Sequence, residues 1–294
     1  MAFEFNPKRP LSLEIHHLMA FQIGRIEAHL QSSDGAEKRI HDVRKRIKET
    51  RALLRLVQPV LDSQFRIENA WYRDAARELS AARDAAALVE AIDKLRKHTS
   101  DRAARRKLRQ VRSALQKSAV DGVAMETRIR KLLERLPDAR SRLADWPPLP
   151  DRFSTIGKGL QRCFRDGRRA LESATGDPAP ETFHELRKRV KDHWYHAQLL
   201  RRNWPEFMTR YAEVVEELSD ALGDHHDLIV LRQTLTDEPL AYGDEASLQT
   251  TFAAIERRRQ QLEKKSISIA EHVYAENPGE WTARIRAWWR MAAS

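Results

Sequence analysis

His41, Arg44, Lys45 and Lys48 are spaced i, i+3, i+4 and i+7. A helix turns about 100° per residue, so these four side chains share one face. The same types stand at His184, Arg187, Lys188 and Lys191, each 143 residues further on, so the pattern HxxRKRxK occurs twice. Clustered cations on a rigid support suit a multiply charged anion. Arginine offers a planar fork matched to phosphate oxygens, and lysine a compact point charge. Histidine donates a hydrogen bond while neutral and gains charge when a bound anion raises its pKa. His41 and His184 are therefore read in two ways, as anion contacts or as structural hydrogen bonds to a neighbouring helix.

The elements that carry these residues must be amphipathic helices. Ile40, Val43, Ile47, Leu54 and Val57 form an apolar stripe beside the first basic face, and Phe183, Leu186, Val190, Ala197 and Leu200 do so beside the second. Arg51 and Arg55 prolong the first basic stripe. The second copy has Trp194 and Gln198 in their places, so the two faces are not identical. Lys45 and Lys188 lie at the stripe's edge, whereas Arg46 and Arg189 point elsewhere. Most lysine and arginine stripes are merely solvated faces. Here the stripe contains almost no balancing acid and is repeated with its histidine.

Composition sets the class. The chain has 294 residues, 41% hydrophobic and 33% charged, with 10 Gly and 12 Pro. This favours helices and allows a sizeable core. Net charge is +10, which points to a polyanionic partner. Residues 1–150 hold 31 Lys+Arg against 20 Asp+Glu, and residues 151–294 hold 22 against 23. An anion site in the second half must therefore be local. Cys163 is the sole cysteine, which excludes an internal disulfide and fits a reducing cytoplasm. No secretory signal is visible at the N-terminus, and no apolar run approaches the roughly 20 residues of a spanning helix.

Along the chain, helices are predicted over about 11–31, 36–58, 62–80, 85–97 and 102–136, the last with a break near Asp121-Gly122. Pro59 is expected to interrupt the second. Trp146-Pro147-Pro148-Leu149-Pro150 is the clearest boundary, because three prolines in four positions cannot continue a helix. Helices follow over about 151–173, 181–202, 206–222, 227–235 and 245–275, with a terminal helix at 281–291 whose Trp281, Ile285, Trp288 and Trp289 form an apolar edge. No strand pattern stands out. The repeat extends beyond the basic motif: Gly24-Arg25 meets Gly167-Arg168, Asp34 meets Asp177, Leu56 meets Leu199, Leu79 meets Leu222 and Asp84 meets Asp227. A register shared from about residue 24 to 84 implies two related helical bundles. Arg25 and Arg168, at matching positions, are read either as further anion contacts or as ion pairs, for example with Asp84 or Asp227.

Two copies of HxxRKxxK on helices, each followed by an (R)D dipeptide some forty residues later, resemble the CHAD domain, the conserved histidine α-helical domain. Arg83-Asp84 matches the first (R)D position, and Arg73-Asp74 the additional one often found in the first repeat. The second repeat departs from the pattern with His226-Asp227. The resemblance covers about residues 8–290. It implies an all-α fold of two related four-helix-bundle-like repeats packed around a basic central cleft. The first repeat would be 8–146, the Pro-rich joint 147–150, the second repeat 151–276 and the C-terminal helix 279–291. It further implies non-catalytic binding of inorganic polyphosphate, in the cytoplasm at polyphosphate granules, with other polyanions or a granule protein as further partners. No cofactor or membrane insertion is implied. Family members also occur fused to a CYTH triphosphatase, but no ExExK signature is present and the chain reads as a stand-alone member. Under this reading the polyphosphate contacts are His41, Arg44, Lys45, Lys48, Arg51, Arg55, His184, Arg187, Lys188 and Lys191, with Arg25 and Arg168.

Other classes fit the sequence less well. His226-Asp227 is the dipeptide of metal-dependent phosphohydrolases, with His184 or His193 upstream and Asp237 downstream, but its counterpart in the first half carries an arginine, which is no metal ligand. His193 and His196, at i and i+3, are a possible metal pair or packing residues. Gly157-Lys158-Gly159 lacks the rest of a P-loop. Nucleic-acid binding would explain the charge equally well, although no helix-turn-helix, zinc-finger or RNA-binding signature appears. A second basic run, Arg102, Arg105, Arg106, Lys107, Arg109 and Arg112, covers several helix faces and reads first as a solvated helix, with a wider anion surface in the first half as the alternative. Arg257-Arg258-Arg259 and Lys264-Lys265 are interspersed with acids.

Overall fold

The apolar stripes behave as their spacing requires. In the computed structural model, which describes residues 3–79, 84–117 and 122–294, all ten stripe residues of the two motif helices are buried. The described residues form twelve α-helices and one short 3₁₀ turn, with no strand. The helices are α1 (Leu11–Leu30), α2 (Ala36–Leu61), α3 (Ser63–Glu78), α4 (Asp84–Lys97), α5 (Arg102–Lys117), α6 (Gly122–Ala144), α7 (Ser154–Gly176), α8 (Pro180–Leu199), α9 (Pro205–Asp237), α10 (Pro239–Tyr242), α11 (Glu245–Val273) and α12 (Pro278–Ala293). None is long and apolar enough to cross a membrane. The expected break near Asp121-Gly122 falls partly outside the described residues, as does Arg83, and of Asp84 only the backbone is described.

Two expectations about helix ends are corrected. Pro59 does not interrupt α2, which continues to Leu61. A proline this late in a helix removes only the N–H that would reach the Arg55 carbonyl, and Arg162 Nη2 of α7 donates to that carbonyl instead, at 2.9 Å. The segments expected at 206–222 and 227–235 are one helix, α9. Gly223, where the break was expected, costs a single helix about 1 kcal/mol, which packing on α8, α11 and α4 offsets.

The joint at residues 147–150 divides the sequence, but the core runs through it. The larger apolar cluster takes residues from α1, α2, α3 and α6 together with α7, α8, α9, α11 and α12. A second cluster joins α4 and α5 to the later parts of α9 and to α11. The aromatic edge of α12 closes the larger core: Trp281 stacks on Phe164 at 5.3 Å, and Trp281, Ile285 and Trp289 are buried.

Besides the Arg162–Arg55 hydrogen bond, helix α2 is held against the second half at three points. Gly159 of α7 crosses the Leu56 backbone so closely that a Cβ would overlap the Leu56 carbonyl. His196 Nε2 of α8 donates to the Ala52 carbonyl at 2.9 Å, and Arg55 Nη1 donates to Asp192 at 3.0 Å. The glycine pair Gly24 and Gly167 matches in sequence but not in surroundings. Gly24 has open space where a Cβ would stand, whereas Gly167 lies against the Tyr274 ring.

Gly159→Ala should therefore lower stability by about 1–3 kcal/mol through overpacking, while Gly24→Ala should raise it by about 0.5–1 kcal/mol through helix propensity. Urea denaturation followed by circular dichroism measures both. Equal effects would contradict the close approach of α2 and α7.

Candidate functional site: a cleft between the motif helices

With their apolar stripes turned inward, α2 and α8 direct their basic faces into one cleft of about 500 Å³. His41, Lys45 and Lys48 line it from α2, and Arg187 and Lys191 from α8. An adjoining hollow of about 340 Å³ is lined by Arg44, Lys48, His184 and Arg187, together with His226 and Asp227 of α9. Lys48, Arg187 and Asp227 border both spaces. Seven of the eight motif residues thus meet in one neighbourhood, and the eighth, Lys188, pairs with Glu185 and stands half exposed.

The remaining expected residues lie elsewhere. Arg51 is largely buried and donates to Asn69 Oδ1 at 3.0 Å. Burial, then the neighbouring Arg55, lowers its pKa to about 10. Arg55 is the tie to Asp192 already described. Both residues prolong the stripe in sequence, but two more turns carry them past the cleft into the packing of α2 against α3, α7 and α8. Arg25 points to His29 on its own helix, at 3.4 Å, and Arg168 donates to the Glu276 carbonyl at 3.1 Å. Asp74 pairs with Arg73 and Arg77 on the exposed side of α3.

The cleft also holds residues that the basic pattern did not indicate. Glu90 and Lys94 enter from α4, and Asp220, Asp224 and Asp227 from α9. Lys94 Nζ bridges Glu90 at 3.0 Å and Asp224 at 2.9 Å, which joins α4 to α9. The cleft is therefore polarised: the α2 and α8 walls are cationic, and α9 faces them with carboxylates. The spacing of Asp220, Asp224 and Asp227, i, i+4 and i+7, was a legible sign, since Asp227 had been placed by the repeat.

Lys191 is a cleft cation whose charge is disfavoured by its surroundings. Its ammonium lies 3.8 Å from the centre of the Trp194 ring and 5.5 Å from that of Tyr195. Burial lowers its pKa to about 8, with Arg187 and Lys45 adding repulsion and Asp220 and Glu216 opposing it. An arriving anion would raise that pKa again and hold the ammonium charged. Trp194, the residue that replaces the arginine at position 51 of the first copy, is thus the floor beneath this lysine.

His184 and His226 face each other with Nδ1 atoms 3.4 Å apart. One ring must donate and the other accept, so at most one proton sits between them. Burial lowers both pKa values; Lys188 and Arg187 add to the effect on His184, and Arg187 and His184 to that on His226, which falls to about 4. His193 and His196, by contrast, are packing residues. His193 Nε2 and the Tyr211 hydroxyl share a hydrogen bond of 2.7 Å, and His196 binds the Ala52 carbonyl. Among the described residues no three His, Cys, Asp or Glu side chains converge as a metal cage requires.

A sequence profile of the CHAD domain matches residues 17–236, about three-quarters of the chain. The chain belongs to the CHAD family. That family is associated with polyphosphate binding. The fold is similar to the crystal structure of the CHAD domain from the plant Ricinus communis, at 19% identity and a TM-score of 0.58, covering 99% of this chain and 95% of that one. No curated protein matches the chain.

The Lys191 environment has a measurable consequence. Its folded pKa lies below the 10.5 of an unfolded lysine. The unfolded state therefore binds the extra proton in that window, and stability rises as pH goes from about 8 to 10.5. Lys191→Met, which needs no charge on the aromatic floor, should be more stable than the parent at pH 7. Its advantage should shrink by pH 10 in urea titrations. A constant difference across this range would contradict the buried ammonium.

Proposed function

We propose that this CHAD domain binds inorganic polyphosphate in the cleft, without catalysis. One observation carries the reading: Arg44 and Lys48 of one repeat and Arg187 and Lys191 of the other border the same connected space. Polyphosphate has charge at every phosphate and no base or sugar to recognise. It needs closely spaced cations on rigid supports, and helices packed along their whole apolar faces are such supports. Low-dielectric walls strengthen each contact relative to bulk water.

The carboxylates of α9 suit the same ligand. They repel an anion from one side and steer it along α2 and α8, so a thin single chain fits where a broad, uniformly charged duplex would press against Asp220, Asp224 and Asp227. His41, bordering the larger space, and the His184–His226 pair, bordering the adjoining hollow, add donors. Association with polyphosphate granules in the cytoplasm belongs to this reading, as the place where such a ligand is concentrated.

Replacing Arg44, Lys48, Arg187 and Lys191 together by glutamine tests it. A charge-assisted hydrogen bond contributes roughly 1.5–3 kcal/mol, so affinity for polyphosphate should fall by more than about a hundredfold. The slope of log affinity against log salt should fall by roughly 3. The circular dichroism spectrum should stay helical, and the parent should release no free phosphate from the bound chain. Unchanged affinity in the variant would refute the site. Displacement of bound polyphosphate by DNA at lower phosphate concentration than the reverse would favour a nucleic-acid ligand instead.

A further inference from the structure

Helix α5 carries five arginines and two lysines in sixteen residues and not one acid. Of its buried stripe, Ala104, Leu108, Val111 and Leu115, the last three pack into the smaller core. The cations beside that stripe serve the fold. Arg112 Nε lies 2.8 Å from both oxygens of Asp93 on α4, and Lys107 Nζ binds the Ala246 carbonyl at 3.1 Å and Thr250 at 3.2 Å on α11. Arg105 donates to the Thr99 carbonyl.

Three arginines remain. Arg102, Arg106 and Arg109 are exposed, and no carboxylate pairs with them among the described residues. At i, i+4 and i+7 they form one outward row roughly 10 Å long. They repel one another on that face, and Arg102 stands at the positive end of the helix dipole. A bound polyanion would relieve both effects at once. No residue of α5 lines the cleft, and the buried stripe of the helix separates this row from the α4 and α9 residues that do.

We propose that the outer face of α5 is a second polyphosphate-binding surface, so that one molecule holds one chain in the cleft and bridges to another through Arg102, Arg106 and Arg109. This rests on the reading of the cleft given above. The row is open and shallow, so its contacts are individually weak and strongly screened by salt. Its effect is one of valency: a second linked contact raises the effective concentration of a neighbouring chain without any new pocket.

The test compares Arg102→Gln/Arg106→Gln/Arg109→Gln with the parent, with the quadruple cleft variant, and with a control that removes three exposed arginines elsewhere, Arg201→Gln/Arg286→Gln/Arg290→Gln. Binding of a short polyphosphate is measured by calorimetry, and bridging of long-chain polyphosphate by light scattering at low salt. The α5 variant should bind the short chain as the parent does. Its scattering midpoint should move to at least about tenfold higher protein concentration, since a second linked contact contributes on the order of 10²–10⁴ in avidity. The control should scatter like the parent, and the cleft variant should keep weak binding to the long chain. Parent-like scattering by the α5 variant, or an equal loss in the control, would overturn the proposal and leave the cleft reading standing. Loss of short-chain binding in the α5 variant, with none in the cleft variant, would overturn the cleft reading and with it the bridging role.

Discussion

Two helices whose facing sides are both cationic repel one another, and the fold depends on how that repulsion is held. Helices α2 and α8 each turn a basic face to the cleft and an apolar face to the core. The apolar faces are buried completely, and several ties on the far side of α2 fix its distance from α7 and α8. Gly159 permits contact with the Leu56 backbone, Arg162 occupies the carbonyl that Pro59 leaves without its helical donor, and Arg55 meets Asp192. The Arg55–Asp192 pair is a costly device, because burial pushes the Asp192 carboxyl up while Arg55, Arg189 and Arg51 pull it back. Removing either member would strand the other in the interior.

The site is left in a state that an anion would improve. Lys191 sits over aromatic rings with its charge disfavoured, and the His184–His226 pair is held from protonation by burial and by nearby Arg187. The acids of α9 hold the cleft's net field in check without filling it. Lys94, bound to both Glu90 and Asp224, is a cleft cation supplied by a helix outside the two motifs, and its pairing joins the first half of the chain to the second.

Much of this was legible in the sequence, because period and repetition are local signals. The stripes of α2 and α8, the buried edge of α12 and the convergence of His41, Arg44, Lys48, His184, Arg187 and Lys191 followed from spacing and from the 143-residue repeat. What the sequence misplaced shares one cause. Arg51 and Arg55 continue a stripe by period, but α2 leaves the cleft before it reaches them, and no local pattern says where two helices part. Pro59 and the segment at Gly223 looked like ends because proline and glycine are weak in isolated helices, whereas tertiary contacts satisfy or outweigh each defect. The acidic wall was missed because basic residues were sought as a set. Arg25 and Arg168 matched in number while their surroundings diverged, as Gly24 and Gly167 beside them also did.

Locating a bound chain tests the central claim most directly. A crystal structure of the protein with a short polyphosphate should show a linear run of phosphate density between α2 and α8, within hydrogen-bond distance of Arg44, Lys48, Arg187 and Lys191. Density confined to other surfaces, with those four side chains untouched, would contradict the account.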